Sequence, residues 1–459
     1  MRRLTQRVSI ASVAIGFCLL SLRWLTGREL AARSVNNPDI RTQRSVSQQH
    51  NTSAAGAALS SLPSFSPPPS PSTAHSRQNT KVGGGDREEE GKESTLRCDA
   101  LICCTVRIEK GPVRFVTMNR PQALNSLNLP MIRKMYGRLK EYEKDKNVGV
   151  VILKGAGGKA FCAGGDVVAI RASGLSDGEV ARDFFKEEYL LDYLIGTYEI
   201  PFVSIMDGIT MGGGVGVSVH GGFRVATERT VFAMPETAIG LFPDVGGSYF
   251  LPRLPQHLGV FLALTGYRLK ASDLYHAGIA THFSTSDMIP QLEDELVSLA
   301  DPSEKGVRQV LDKFHQKAVQ CGSVPPFSLL PHAKHIDEVF GGAQTCEELL
   351  SALSKENSDW ASKQLTLLRK LSPTSMKVTM RQLQLGSTMQ FKDVFTMEYR
   401  LSQHFVEDAK DFFEGVRAVL IDKDNSPRWD PATLEEVSDE KVRWFFSPLR
   451  DSQRELIIS

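Results

Sequence analysis

The 459-residue chain is long enough to bury a large core and to hold more than one domain. Its hydrophobic content of 41% and charged content of 23% are ordinary for a soluble globular protein, and the formal net charge of +1 argues against a nucleic-acid-binding surface. The seven cysteines form no Cys-x-x-Cys pair, and their odd number suits a reducing compartment better than a disulfide framework.

The N-terminus has the composition of an import leader. The first fifty residues contain eight arginines, no lysine, and only Glu29 and Asp39 as acids. Because such leaders are typical of mitochondrial or plastid transit peptides, we expect residues 1–44 to direct import into an organelle. The apolar run at residues 8–22 leaves a secretory signal or a membrane anchor as alternatives, but it is shorter than the about 20 residues of a membrane span. Membrane contact is expected only if the leader is retained.

Residues 45–100 are of low complexity. The stretches "SSLPSFSPPPSPSTAHS" and "GGGDREEEGKE" lack the apolar residues that a core needs, so this segment is predicted to be a disordered linker. Hydrophobic patterning returns at about residue 101. We therefore predict a core over 101–300 and a mainly helical region over 301–459.

Strand and helix patterns alternate within the predicted core. Apolar runs predict strands at 111–119, 148–155 and 200–208, and two shorter strands within 223–236. Apolar residues at helical spacing predict helices over 130–146 and 184–198. This alternation indicates an α/β fold. Beyond residue 301 helical patterns dominate, for example at 360–371, 375–383 and 394–406.

Two glycine-rich loops follow apolar strands: "AFCAGGD" (160–166) and "TMGGGVG" (210–216). A strand that ends in glycines before a helix exposes backbone N–H groups, which can bind a phosphate or an oxyanion. The P-loop spacing is absent, and "GAGGKA" lacks the helix and the later acidic residue of a dinucleotide site. Tight turns and close packing are the structural alternative for these glycines.

Two carboxylates lie in the apolar segment 232–254, "FAMPETAIGLFPDVGGSYFLPRL". Glu236 and Asp244 each follow a proline by one residue, and an apolar setting raises a carboxyl pKa toward the range of a general base or acid. The alternatives are a helix cap at either residue or a surface ion pair with Arg253.

These motifs together resemble the crotonase, or enoyl-CoA hydratase/isomerase, superfamily. The segments "MNRPQALNSL", "SPTSMKVTMRQL", "FTMEYRLSQ" and "EGVRAVLIDKDNSPRW" are similar to its acyl-CoA hydrolase branch, and the resemblance covers about 105–447. It implies a crotonase-like spiral of ββα turns with a helical C-terminal region. An acyl-CoA-binding core is then expected over 101–300.

The resemblance also implies catalytic roles for particular residues. The thioester carbonyl is held in this family by two backbone N–H groups, which by position fall on Gly165 and Gly213. The hydratases use two glutamates, but the first position falls here on Gly216 and only Glu236 remains. Losing one carboxylate disfavours hydration and leaves hydrolysis, in which Glu236 either activates water or attacks the thioester itself.

Asp244 matches a second acidic residue of the hydrolase branch, and Glu188 matches a substrate-contacting glutamate. Both are expected to orient the acyl group, with a solvated helix face beside Glu187 as the alternative for Glu188. The implied reaction is hydrolysis of 3-hydroxyisobutyryl-CoA in valine breakdown, and 3-hydroxypropionyl-CoA is a second expected substrate because it differs by one methyl group. The resemblance also implies a mitochondrial role, which agrees with the arginine-rich leader. A hydratase or isomerase, or a non-catalytic acyl-CoA-binding protein, is the alternative.

No separate cofactor is expected, because CoA is part of the substrate. No metal is expected either, since only His332 and His335 have ligand spacing and no third ligand is evident. Lys159, Arg120 and Lys154 are candidates for CoA contact because they lie near the glycine loops. Homo-oligomerisation is possible in this superfamily, and no nucleic-acid partner is expected.

Overall fold

A computed structural model describes residues 104–108, 111–176 and 178–458. The predicted leader (1–44), with its apolar run at 8–22, and the predicted linker (45–100) lie outside the described residues. The boundaries placed at residues 100 and 300 stay predictions.

In the described residues, ten strands form two sheets. The strands are β1 (Cys104–Ile108), β2 (Val113–Met118), β3 (Val150–Gly155), β4 (Ala160–Cys162), β5 (Phe202–Met206), β6 (Ile209–Met211), β7 (Phe223–Ala226), β8 (Val231–Ala233), β9 (Leu269–Lys270) and β10 (His282–Phe283). The six-stranded sheet has the order β1-β2-β3-β5-β7-β10, and the four-stranded sheet has the order β4-β6-β8-β9. All pairings are parallel except β1 with β2 and β8 with β9.

From β3 to β8, consecutive strands alternate between the two sheets. β3, β5 and β7 belong to the larger sheet, and the strand after each of them, β4, β6 or β8, belongs to the smaller one. Helices follow β4 and β6, so each turn of the chain adds one strand to each sheet before a helix returns it. This is the spiral of ββα turns that the resemblance implies, and the predicted α/β class is confirmed.

The core has two parts, one on each face of the larger sheet. Alternate residues of β2 illustrate the division: Val113 and Phe115 join the outer cluster, whereas Val116 and Met118 join the main core. β3 is buried on both faces, as its unbroken apolar run predicts for a central parallel strand.

Sixteen α-helices occur in the described residues. They are α1 (Leu129–Tyr142), α2 (Val167–Gly174), α3 (Glu179–Gly196), α4 (Gly213–Val219), α5 (Gly247–Phe250), α6 (Leu258–Thr265), α7 (Asp273–His276), α8 (Ile289–Val297), α9 (Glu304–Gln320), α10 (Ala333–Gly342), α11 (Cys346–Glu356), α12 (Asp359–Leu368), α13 (Pro373–Gly386), α14 (Phe391–Asp408), α15 (Asp411–Val416) and α16 (Asp439–Phe445). The predicted helices at 130–146 and 184–198 correspond to α1 and α3, of which α3 begins five residues earlier than predicted.

Two C-terminal helices complete the walls around the site. α14 packs along α3, where Phe395 lies 6.1 Å from Tyr189 between ring centroids. α13 packs on α5, and Gly386 permits this approach because a β-carbon there would collide with the backbone of Ser248. In the part of the chain that the structure describes, no helix combines the length and apolar character that crossing a bilayer requires.

Candidate active site

The five residues singled out from the sequence meet at one cavity of about 290 Å³. Gly165, Gly213, Glu188, Glu236 and Asp244 all line it. They come from the loop after β4, the start of α4, the middle of α3 and the segment after β8, so the spiral gathers residues that are far apart in the sequence.

The two glycine loops touch each other at the cavity. Gly164 has φ +109°, a conformation that favours glycine, and Gly212 has φ +48°. A β-carbon at Gly212 would lie 3.6 Å from Gly164 Cα and 2.9 Å from Glu236 Oε1. The glycines therefore serve close approach, both between the loops and between the backbone and a catalytic candidate.

The N–H groups of Gly165 and Gly213 are available for a ligand. Leu127 N–H donates to Gly164 O (2.8 Å), and Asp166 N–H donates to Leu127 O (2.9 Å). In a parallel bridge of this kind the N–H of the intervening Gly165 points away from Leu127. Gly213 is the first residue of α4, where the N–H has no intrahelical acceptor.

Glu236 begins the short 3₁₀-helix Glu236–Ile239 after β8. Its side chain is buried, and Oε2 has no hydrogen-bond partner among the described residues. Burial, followed by the charge of Asp244, raises the pKa of Glu236 well above its ordinary value. Glu236 is not a helix cap, because Pro235 is the cap residue of this helix. It does not form an ion pair with Arg253 either, since Arg253 donates to backbone carbonyls instead.

Asp244 is buried and accepts a hydrogen bond from the hydroxyl of Tyr189 at 2.8 Å. Burial raises its pKa to about 7, although the Tyr189 hydrogen bond opposes this shift. A carboxyl group with a raised pKa can donate as well as accept hydrogen bonds, which suits contact with a substrate.

Glu188 faces the cavity and not the solvent. It is 2% exposed, and Oε1 has no partner among the described residues, whereas the neighbouring Glu187 is bound by Arg133 on the surface. Burial, then the charges of Asp244 and Glu236, raise the pKa of Glu188 well above its ordinary value. The solvated-face alternative is therefore wrong for Glu188.

Two further buried carboxyl groups adjoin the site and were missed from the sequence. Asp192 is fully buried on α3, and its pKa is raised well above the ordinary value by burial and then by the charge of Glu188. Its spacing of four residues from Glu188 is a signal that could have found it. Glu398 on α14 contacts the turn that follows Asp244, and no local signal reveals a contact across 150 residues.

None of the three basic candidates lines the cavity itself, although Arg120 donates to Ser126 O and Asp166 at its edge. Arg120 is bound by Asp166 at 3.2 Å, Lys154 by Glu293 at 2.7 Å, and Lys159 is exposed. His332 stacks on Trp360. These side chains therefore do not contribute to the cavity that holds the carboxylates.

Comparisons with known proteins agree with this architecture. Residues 113–446 match the family model described as enoyl-CoA hydratase/isomerase. The chain is 53% identical to a Gallus gallus protein named 3-hydroxyisobutyryl-CoA hydrolase, mitochondrial, over 76% of this chain and 90% of that one. It is 51% identical to the Homo sapiens protein of the same name, over 75% and 88%.

Two solved structures share the fold. A carnitinyl-CoA dehydratase from Mycobacterium thermoresistibile is 38% identical with a TM-score of 0.71, over 77% of this chain and 98% of that chain. An enoyl-CoA hydratase from Rhodobacter sphaeroides 2.4.1 is 33% identical with a TM-score of 0.68, over 78% and 100%. The spiral, the paired glycine loops and these matches together establish that the chain belongs to the enoyl-CoA hydratase/isomerase, or crotonase, family.

Proposed function

We propose that this protein hydrolyses the thioester of 3-hydroxyisobutyryl-CoA to free CoA and 3-hydroxyisobutyrate, a step of valine breakdown, and that it does so in mitochondria. The named relatives at 51–53% identity carry this activity and location in their names. We propose 3-hydroxypropionyl-CoA as a second substrate, since the loss of one methyl group changes the transition-state free energy by only about 1–3 kcal/mol.

The observation that carries this proposal is the glycine at position 216, where the resemblance places the first glutamate of the hydratases. Glu236 lies against Gly212, whereas Gly216 on α4 presents no side chain and Asp192 occupies the adjoining space. Delivering water across a double bond needs one group to add the hydroxyl and another to add the proton, but thioester hydrolysis needs only one group to activate the attack. The missing side chain at Gly216 therefore favours hydrolysis over hydration.

The N–H groups of Gly165 and Gly213 are placed to bind the thioester oxygen. Attack on the carbonyl carbon transfers negative charge to that oxygen, and a preorganised donor there stabilises the transition state by about 2.7–4 kcal/mol. Both donors are backbone groups held by packed elements, so little reorganisation is needed as the charge develops.

Glu236 drives the attack on the thioester by one of two routes, as a general base or as a nucleophile. As a base it removes a proton from water, the hydroxide adds to the carbonyl carbon, and the C–S bond breaks as the CoA thiolate leaves and takes up the proton. As a nucleophile it displaces the thiolate and forms an anhydride that water then hydrolyses. The raised pKa of Glu236 suits the base route because it strengthens the carboxylate as a proton acceptor.

Label in Glu236 after a single turnover in ¹⁸O-labelled water identifies the anhydride route, whereas label in the acid alone is compatible with both routes. The base route places the label only in the released acid. Attack of water on the enzyme's side of an anhydride places it in the Glu236 carboxylate, where mass spectrometry of the peptide detects it.

Glu188 and Asp244 complete the acyl site as acceptors or donors for the 3-hydroxyl group of the substrate. Both are buried beside Gly213 and Glu236. Leaving either carboxyl group without its hydrogen bond to the hydroxyl, as an acyl group that lacks the hydroxyl would, therefore costs free energy. A site of this kind discriminates against acyl groups that lack the hydroxyl.

The proposed function is tested by following free thiol from 3-hydroxyisobutyryl-CoA with the purified full chain, and hydration of crotonyl-CoA beside it. Rapid thiol release with hydration at background level is the expected result. Hydration without thiol release would refute the proposal and place the chain with the hydratases. Neither activity, with acyl-CoA binding retained, would identify a binding protein.

A further inference from the structure

The turn that carries Asp244 has an unfavourable backbone conformation. Val245, the next residue, has φ +52°, and Gly246 has φ +80°. A β-branched residue in the left-handed region is rare, because its side chain clashes with the backbone there. Such a conformation persists only where the surroundings hold it, and it is found preferentially at functional sites.

Three buried side chains hold the turn from outside. His220 Nε2 lies 2.7 Å from Val245 O, and Gln382 Nε2 donates to Pro243 O. Glu398 binds on the far side of Val245, at the start of α5. These side chains lie at the C-terminal end of α4, on α13 and on α14. Two C-terminal helices therefore hold a turn of the catalytic core.

Glu398 makes the most extensive of these attachments. Its Oε2 accepts from Gly246 N–H at 2.7 Å and its Oε1 accepts from Ser248 N–H at 2.8 Å. The side chain is fully buried, and burial raises its pKa to about 8 although the two N–H donors oppose the shift. Retaining a buried carboxyl group at this point costs stability, which indicates a role beyond packing.

We propose that Glu398 is a positioning residue for Asp244: its two hydrogen bonds hold the strained turn and thereby aim the Asp244 carboxylate into the acyl cavity. This inference rests on the proposed function for its catalytic readout. It gives the helical C-terminal region a part in catalysis, although Glu398 lies about 150 residues from the turn that it holds.

The test is Glu398→Gln. In this variant an amide NH2 group replaces one carboxyl oxygen, and it cannot accept a hydrogen bond from the backbone N–H that it faces. Hydrogen exchange of the peptide 243–250 is expected to accelerate by at least about tenfold, because both amides lose part of their protection. The kcat/KM for thiol release is expected to fall about a hundredfold, the scale of a 1 Å misplacement. In an Asp244→Asn background the same substitution is expected to change kcat/KM by less than about threefold.

Glu407→Gln on the exposed face of α14 is the matched control and should change neither measurement. If Glu398→Gln does not fold, Glu398→Asp keeps the carboxyl group, shortens the reach by one methylene, and should show the same non-additivity with Asp244→Asn. Unchanged exchange at the turn, or an undiminished loss of activity in the Asp244→Asn background, would overturn the proposal. Absence of thiol release by the wild-type chain would refute the proposed function instead, and the exchange measurement would still decide whether Glu398 holds the turn.

Discussion

The carboxyl group of Asp192 fills the space into which a side chain at Gly216 would extend. A β-carbon at Gly216 would lie 2.7 Å from Asp192 Oδ2 and 2.6 Å from Val245 Cβ, distances that packed β-carbons do not tolerate. Because α3 and α4 approach closely at this point, packing requires a glycine here. Its missing side chain also leaves this position without the glutamate that hydration would use.

Gly216→Ala is therefore expected to destabilise the protein by about 1–3 kcal/mol, even though alanine has the higher helix propensity. The free energy of unfolding in urea measures this. Gly137→Ala is the matched control, because a β-carbon there meets nothing within 4 Å on the exposed face of α1. It should raise the free energy of unfolding by about 0.5–1 kcal/mol. Equal stabilisation by both substitutions would show that α3 does not press on Gly216.

Asp192→Asn is expected to stabilise the protein at neutral pH. The raised pKa of Asp192 means that the folded chain keeps a proton that the unfolded chain releases above its ordinary value of 3.8. The contribution of Asp192 to wild-type stability then falls as pH rises above about 4, by up to about 1.4 kcal/mol per pH unit, until the folded group also ionises. Asparagine removes this dependence and loses no hydrogen bond, since neither Asp192 oxygen has a partner among the described residues.

Urea unfolding of wild type and Asp192→Asn at a series of pH values between about 5 and 8 measures the difference. The gap should widen as pH rises. Glu187→Gln, a surface change on the same helix, should remain within about 0.5 kcal/mol of wild type throughout. A gap that does not depend on pH would mean that Asp192 is ionised in the folded protein.

The catalytic candidates were predictable because each lies in a short local motif. Gly165 and Gly213 end strands in glycine runs, and Glu236 and Asp244 follow prolines in an apolar segment. Glu188 was also found, but its burial could not be read from its neighbours, since Glu187 beside it is a surface residue.

What could not be predicted depends on contacts across long sequence separations. Glu398 reaches Gly246 from another helix, and Lys154, near a glycine loop in the sequence, is bound by Glu293 instead. β9 and β10 are only two residues long and owe their extended conformation to the strands beside them, so no periodic pattern marks them.

Asp244→Asn is expected to shift the pH dependence of thiol release. The proposed mechanism requires ionised Glu236, so kcat/KM should fall as pH drops through the pKa of that group. The charge of Asp244 contributes to raising this pKa, and its removal should move the acid limb of the profile to lower pH. A limb that stays in place would show that Glu236 does not sense Asp244, whatever the change in rate.

Glu188→Gln is expected to weaken the preference for hydroxylated acyl groups. The ratio of kcat/KM for 3-hydroxyisobutyryl-CoA to that for isobutyryl-CoA should fall by at least about tenfold, since a hydrogen bond to a charged group contributes about 1.5–3 kcal/mol. Glu187→Gln should leave the ratio at the wild-type value. Equal losses of kcat/KM on both substrates would instead mean that Glu188 maintains the shape of the cavity and does not recognise the hydroxyl group.

The most direct test of the central claim, that Glu236 activates the attack on the thioester, is kcat for thiol release by Glu236→Gln. The substitution keeps the shape of the side chain and removes its ability to accept a proton or attack a carbonyl. We expect kcat to fall by about 10²–10⁴-fold, with the fold and acyl-CoA binding retained. A variant that keeps kcat within about threefold of wild type would contradict the account and require another group to activate the attack.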